Sequence, residues 1–439
     1  MRIHLIAIGG AIMHNLAIAL KRKGYHVTGS DDAIYDPAKT NLNENGLLPK
    51  IGWDEDLITA DIDVIILGMH ARKNNPELAK AQKLGLKIMS FPEFVAAESK
   101  DKKRVVIAGS HGKTTTTAMI MYVLSRLNLD FDYLVGSSIN GFDLSVKISD
   151  APVIIIEGDE YLSSPLDLKS KFLWYNPHIS IITGIAYDHI NVFPTFDSYL
   201  DTFEKYMNSH VSNGHFLWYK NDEHLQKLTQ EITTSNNAYD TPKYRNTSTG
   251  SEIFHDGIWY PLMIVGKHNL ENLYAAQLVC AELGVSGGEF YEAVSDFTGA
   301  GRRMEKIYDK NGQVIYRDFA HSPSKLKATT NAVKESFGGT LLAVFELHTF
   351  SSLTKAFIPL YENAMDAADR AIVFYNDEVF EHKKMEYLDS SFVQNCFGDV
   401  SIINSKEELE KLVNSSFENG ENILLMSSGT FQKASFLFD

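Results

Sequence analysis

The residues best suited to chemistry begin at Gly109, where "GSHGKTTTT" follows the apolar run "RVVIA". A strand that runs into a glycine-bearing loop and then a helix aims backbone N–H groups at phosphate oxygens. Gly109, Ser110, His111 and Gly112 form the loop, Lys113 is placed to reach the β- and γ-phosphates, and the hydroxyl of Thr114, followed by Thr115, can face Mg²⁺. The common loop reads GxxxxGK[ST], and its first glycine position is Ile107 here, so this loop is short. A merely structural turn does not require the Gly-Lys-Thr order at a strand-to-helix junction.

Further groups with chemical capacity follow at intervals. "PVIIIEGDE" delivers Glu157, Asp159 and Glu160 to the end of an apolar run, where ligands collect in α/β folds and where hard oxygens suit Mg²⁺. "GIAYDHINVFP" places Asp188 and His189 at the end of the next run, with His189 a candidate second metal contact. Asn269 and Asn272 in "GKHNLENLYAA" share a helix face, and their amides suit either an adenine edge or a helix cap. "GAGRRMEKI" supplies Arg303 and "RDFAHSPSK" supplies Asp318 and His321; arginine suits a phosphoryl group, and a surface ion pair is the alternative. Near the start, "IGGAIMHNLA" offers Gly9 and Gly10 at a helix entry, with Asp31 ending the next strand. That spacing suits a nucleotide's phosphates and ribose, but Ala7 stands where the first glycine of GxGxxG belongs, so a plain tight turn reads equally well.

The elements that must position these groups alternate short β-branched runs with amphipathic segments, the signature of parallel α/β units. "RIHLIAI", "HVTGS", "DVIILG" and "KIMSF" read as strands of a first block ending near "ESKDKKR". "RVVIAGS", "PVIIIEGDE" and "HISIITGI" open a second block, whose later part includes the turn-rich segment "TTSNNAYDTPKYRNTSTGSE". "VIYRDF", "TLLAVFEL", "RAIVFY", "SIINS" and "NILLMSS" predict a second doubly wound sheet beyond Gly299. A chain of 439 residues fits roughly three domains. A formal charge of -15 disfavours general nucleic-acid binding, and any polyanion must sit in a local pocket. Two distant cysteines, Cys280 and Cys396, indicate neither disulfides nor zinc and fit a reducing cytoplasm. No signal peptide and no membrane span are expected, because His4, Gly9, Gly10, His14 and Asn15 interrupt the first apolar stretch.

Taken in order, GxxGKTT, EGDE, DH, HNxxN, GxRR and DxAHxP resemble the Mur ligase family, the ATP-dependent enzymes that build the peptide stem of peptidoglycan. The resemblance spans essentially the whole chain and accounts for the short loop, since the family's own loop resembles GxxGKT[ST]. It implies a three-domain α/β architecture: a Rossmann-like UDP-sugar domain over 1–99, a P-loop ATPase domain over 100–298, and a Rossmann-like domain over 299–439 that closes on ATP and the amine acceptor. It further implies that Lys113 holds the ATP phosphates, that Thr114 and Glu157 bind one Mg²⁺, and that His189 serves a second. Asn269 and Asn272 would meet the adenine side, and Arg303 and Asp318 the nucleotide. The first block, with Gly9, Gly10 and Asp31, would take the UDP moiety, and His321 is counted with the substrate contacts.

Several family members carry a carbamylated lysine in the helix after the DH pair. Here the matching register falls on Phe203, with Lys205 two residues on, which resembles the branch acting directly on UDP-N-acetylmuramate. Within that branch "VTGSDDAIYDP", "EGDEYLSSPLDLKSKFLWYNP" and "LLMSSGTF" point to a tripeptide acceptor, L-alanyl-γ-D-glutamyl-meso-diaminopimelate salvaged from old wall. L-alanine-adding members typically carry an ESD-type sequence where this chain has Glu160-Tyr161, and they lack the run from Lys169 to Phe172. Ala7, Gly158 and "TGIAYDH" depart from the family pattern. An L-alanine acceptor, or an ATP-gated binding protein without ligation, are the alternative readings.

Overall fold

The computed structural model describes residues 1–187, 192–247, 250–301, 303–310 and 312–438. The chain divides into two compact units, one of residues 1–185, 192–240 and 278–285, the other of residues 186–191, 241–277 and 286–439.

The first unit holds two sheets. Four parallel strands run in the order His26–Ser30, Arg2–Ile6, Val64–Leu67, Ile88–Ser90. Seven strands make the larger sheet, ordered Ser235–Tyr239, His215–Tyr219, Ile179–Ile182, Lys103–Ala108, Val153–Glu157, Asp132–Leu134, Val146–Lys147, with only the last pairing antiparallel. Lys103–Ala108 lies at the centre, and Val105, Val106, Ile107 and Ala108 are all fully buried. A strand covered on both faces reads as an unbroken apolar run, which is why "RVVIA" shows no alternation. The helix Lys113–Arg126 that follows is likewise buried nearly all round, through Ala118, Met119, Ile120, Met121 and Val123. Within this unit Asn15 of the helix Ala11–Arg22 accepts the Ser145 N–H at 3.0 Å, and Ser90 donates to Asp167 at 3.1 Å. These bonds tie the small sheet's elements to those of the large one.

The second unit holds a six-stranded sheet ordered Glu305–Lys310, Gln313–Asp318, Asn422–Met426, Leu341–Glu346, Arg370–Phe374, Ser401–Ile403, parallel except for its first strand. Leu341, Ala343 and Phe345 pack on one face with Leu326 and Val333 of the helix Pro323–Ser336. Leu342 and Val344 pack on the other with Leu409 and Val413 of Lys406–Glu418. Helices on both faces of a mainly parallel sheet make it doubly wound, as the sequence predicts.

One expectation needs correction. The stretch read as turn-rich contains the strand Ser235–Tyr239 and part of a three-stranded antiparallel sheet, Tyr244–Thr247, Gly250–His255 and Ile258–Leu262. Of these, Ser235–Tyr239 and Tyr244–Thr247 are polar and largely exposed, so they lack the apolar pattern by which a buried strand is recognised. Among the described residues no helix is long and apolar enough to cross a membrane.

Candidate active site

The central strand Lys103–Ala108 ends in the loop, and two of its glycines take left-handed torsions, φ 123° at Gly109 and 76° at Gly112. Gly109 is also pressed against Thr183, whose backbone nitrogen would lie 2.9 Å from any added Cβ. Thr183 donates its hydroxyl to the His111 carbonyl, and the Ser110 N–H donates to the Gly184 carbonyl at 2.9 Å. The loop is thus braced by the end of the neighbouring strand Ile179–Ile182.

Lys113 opens the helix and carries its ammonium back over the loop, donating to the Gly109 carbonyl at 2.5 Å and to Glu160 Oε2 at 2.8 Å. Burial pulls this ammonium down, but the carboxylates of Glu160, Asp159 and Glu157 outweigh it and hold the lysine above its ordinary value. The next residue meets the acidic strand end directly. Thr114 Oγ1 donates to Glu157 Oε1 at 3.0 Å, and the Gly136 N–H donates to Glu157 Oε2 at 3.2 Å. Asp159 turns elsewhere, to Lys171 Nζ at 2.5 Å and the Tyr161 N–H at 3.0 Å. Burial would raise Asp159, yet Lys171 and Lys113 together hold it well below the usual carboxylate range. Gly158 has a physical reason: a Cβ there would stand 2.8 Å from Val106 Cγ1.

The structure therefore brings Lys113, Thr114, Glu157 and Glu160 together at one sheet edge. Thr114 and Glu157 offer two hard oxygens to a cation that normally keeps several waters and shares substrate phosphates, which suits Mg²⁺. Among the described residues no group of three or more His, Cys, Asp and Glu forms a metal cage. Asp188 and His189 lie outside the described residues.

Sequence reasoning missed Tyr199. It sits in the first turn of the helix Phe196–Met207, fully buried, with its hydroxyl 2.9 Å from Glu160 Oε1 and 2.8 Å from Ser110 Oγ. A tyrosine on an amphipathic helix reads as core, and only the tertiary fold shows where its oxygen goes. On the same helix Phe203 is fully buried against Phe172 and Tyr199, with ring centroids 5.5 and 5.2 Å apart, whereas Lys205 is exposed.

In the four-stranded sheet the Gly9 N–H donates to Asp31 Oδ2 at 2.7 Å, so Gly9 and Asp31 do meet at the strand ends, and Gly10 caps the helix Ala11–Arg22. Burial raises the Asp31 carboxyl above its ordinary value against the pull of the Gly9 and Ala33 N–H groups. Ala7 takes φ 66°, so the turn keeps the torsion that a glycine would adopt.

In the second unit Asp318 ends its strand buried, accepting the Met304 N–H at 2.6 Å and the Ala320 N–H at 2.7 Å. Burial raises its carboxyl, and Arg303 and these two N–H groups oppose that. The carboxylate thus pins the Arg303 turn, and the Arg303 guanidinium lies 4.7 Å from the Phe319 ring centre. His321 turns its ring to the Phe319 carbonyl at 2.8 Å. Asn269 and Asn272 are both buried in the helix Lys267–Glu282, and Asn269 donates to the Val265 carbonyl at 3.0 Å.

A cavity of about 490 Å³ opens at the carboxyl ends of the strands Leu341–Glu346 and Arg370–Phe374. Glu346, His348, Asn376 and Lys383 line it. Burial lowers both the His348 imidazole and the Lys383 ammonium, and Asn376 Oδ1 is buried without a hydrogen bond among the described residues.

Residues 2–103 match the Mur ligase family catalytic domain, 107–280 the Mur ligase middle domain and 302–429 the Mur ligase glutamate ligase domain. The chain is 34% identical over 384 residues to UDP-N-acetylmuramate–L-alanine ligase of Caldicellulosiruptor bescii, covering 84% of this chain and 82% of that one. It is 27% identical over 442 residues to UDP-N-acetylmuramate–L-alanyl-γ-D-glutamyl-meso-2,6-diaminoheptandioate ligase of Haemophilus influenzae, covering 98% and 96%. It superposes on UDP-N-acetylmuramate–alanine ligase from Thermotoga maritima with a TM-score of 0.74 at 20% identity, covering 99% and 97%, a likeness of fold.

Proposed function

This chain belongs to the Mur ligase family, whose members are ATP-dependent amide-bond-forming enzymes acting on UDP-N-acetylmuramate and its products, and on that premise we propose that it joins UDP-N-acetylmuramate to L-alanyl-γ-D-glutamyl-meso-diaminopimelate. The convergence of Lys113 and Thr114 with Glu160 and Glu157 is the observation that carries the ATP chemistry. The muramate carboxylate attacks the γ-phosphorus, giving an acyl phosphate and ADP. The free amine of the acceptor then attacks the acyl carbon, forming the amide, releasing inorganic phosphate and losing a proton. Catalysis of the first step rests on positioning and on spreading of charge.

Lys113 holds the phosphates and offsets charge on the transferred group, and Arg303 adds a second cation when it reaches the nucleotide. Thr114 and Glu157 would hold Mg²⁺, which neutralises phosphate charge when bound. Gly9, Gly10 and Asp31 take the UDP moiety, Asn269 and Asn272 face the adenine, and Asp318 keeps the Arg303 turn in place. Closure of the residues after Gly299 excludes water, which would otherwise hydrolyse the acyl phosphate. The reaction belongs to wall recycling in the cytoplasm.

The cavity lined by His348, Asn376 and Lys383 supports the larger acceptor. Its volume of about 490 Å³ falls in the range, roughly 300–1,000 Å³, of pockets that enclose drug-sized ligands, far beyond a single alanine. Lys383 and His348 suit the peptide's carboxylates. The second reading, L-alanine as acceptor, is favoured by the 34% identity to an L-alanine ligase. Phosphate release from Mg–ATP and UDP-N-acetylmuramate, with either tripeptide or L-alanine added, decides between them. Release with the tripeptide alone is expected, and release with L-alanine alone would overturn the acceptor assignment while keeping the ATP chemistry.

A further inference from the structure

Four polar side chains and one carbonyl close a ring around the loop. Glu160 is 1% exposed, and its two oxygens are divided between Lys113 Nζ at 2.8 Å and the Tyr199 hydroxyl at 2.9 Å. The Tyr199 oxygen is also 2.8 Å from Ser110 Oγ, and Lys113 returns to the Gly109 carbonyl at 2.5 Å. A carboxylate only accepts, and a phenol has one proton, so the directions follow: Tyr199 donates to Glu160, and Ser110 donates to Tyr199. The ring therefore starts and ends on adjacent loop residues, Gly109 and Ser110, and passes through the helix Phe196–Met207.

A lysine ammonium aimed into such a loop needs an anion, since a buried charge without a partner is costly. The nucleotide supplies that anion only while it is bound. Glu157 bonds to Thr114 and Gly136, and Asp159 to Lys171; among the described residues Glu160 is the carboxylate that faces Lys113 at hydrogen-bond distance.

We propose that Glu160 is a placeholder carboxylate, kept in position by the Tyr199 hydroxyl, which holds Lys113 between nucleotides and is exchanged for the phosphates when one binds. Glu160 and Tyr199 are then positioning residues acting through Lys113. Breaking the ion pair offsets part of the nucleotide's affinity, and its re-formation assists departure of ADP, so the pair tunes exchange. This inference rests on the reading that the loop binds ATP.

Calorimetric titration of the full chain with Mg–ADP and with a non-hydrolysable Mg–ATP analogue tests it. Glu160→Gln keeps the shape and removes the competing charge, and it should tighten both ligands by roughly three- to tenfold, the range of a partly buried charge pair. Tyr199→Phe keeps its ring contacts with Phe193 and Phe203 and should shift affinity the same way by less. The double variant should bind no tighter than Glu160→Gln alone, because both act through one lysine. Unchanged or weaker binding in a Glu160→Gln protein that unfolds at the wild-type temperature would overturn the proposal, as would additive effects of the pair. If Glu160→Gln does not fold, Tyr199→Phe decides by the same signs. Lys113→Ala separates the two levels: full retention of analogue affinity there defeats the ATP-loop reading itself.

Discussion

Thr114 Oγ1 lies 3.0 Å from Glu157 Oε1, across the gap between the loop helix and the adjacent strand end. Two oxygens so placed can face one cation together. Thr114→Ala is expected to raise the Mg²⁺ concentration for half-maximal ligation and to lower kcat by roughly ten- to a hundredfold, with Thr114→Ser recovering most of it. A Mg²⁺ titration of phosphate release checks this; an unchanged midpoint in Thr114→Ala would remove the hydroxyl from the metal's surroundings.

Lys113 follows the carboxyl end of the central strand of the seven-stranded sheet, whereas Gly9 and Asp31 lie at strand ends of the four-stranded one. Lys113→Ala should therefore abolish turnover yet leave UDP-sugar binding within about twofold, a change worth less than roughly 0.5 kcal/mol. Equal loss of both activities, read by titration with UDP-N-acetylmuramate, would contradict that division of labour.

Phe203 and Lys205 occupy opposite environments on one helix, buried against Phe172 and Tyr199 on one side and exposed on the other. Lys205→Ala should keep kcat within about twofold in bicarbonate-free buffer, as expected of a surface position. Phe203→Ala should cost about 3–5 kcal/mol of stability by opening the aromatic cluster. A collapse of kcat in Lys205→Ala would revive a carbamylated lysine at this position.

His210 gives the first unit an acid limit. Its Nδ1 faces the Met207 carbonyl at 2.9 Å and its Nε2 faces Ser180 Oγ at 2.7 Å, an arrangement that the neutral ring satisfies. Burial holds its pKa down, from 6.5 to about 4. The unfolded chain binds the proton more readily, so this stabilisation is complete above about pH 6.5 and is lost as pH falls toward 4, an effect of roughly 3 kcal/mol. His210→Gln should be less stable at pH 7, and its gap from wild type should narrow through that window. Thermal unfolding at a series of pH values would reveal a gap that stays constant if the ring plays no such part.

Lys383 lies in the cavity at the carboxyl end of the second unit's sheet, 4.5 Å from the Phe350 ring centre. If it receives an acceptor carboxylate, Lys383→Ala should raise the acceptor KM about tenfold and leave the KM for ATP unchanged. A shift in the ATP constant instead would place the residue with the nucleotide.

Much of this was legible in the sequence because parallel strands buried on both faces announce themselves. "RVVIA", "VIIIE" and "NILLM" each predict a strand, and each strand ends where a polar group is needed. Family pattern pointed to Lys113, Thr114 and Glu157 in one place, and the fold brings them together. What escaped did so for physical reasons. The strands Ser235–Tyr239 and Tyr244–Thr247 are polar and exposed, so no hydrophobic period marks them. Asp318 also accepts the Met304 and Ala320 N–H groups, a local bracing of the Arg303 turn that spacing cannot reveal. Tyr199 reaches Ser110 and Glu160 from far along the chain, and only the topology creates that meeting.

Ala7 has a wider consequence. At φ 66° an alanine bears roughly 1–2 kcal/mol of backbone strain that glycine would not. Glycine, however, would give the unfolded chain more freedom to lose, worth about 0.4–1 kcal/mol. The strain outweighs that gain by up to roughly 1.5 kcal/mol, so alanine holds this turn at a net cost that the surrounding packing must offset. The turn therefore requires the torsion, and here it is imposed on a residue that does not favour it.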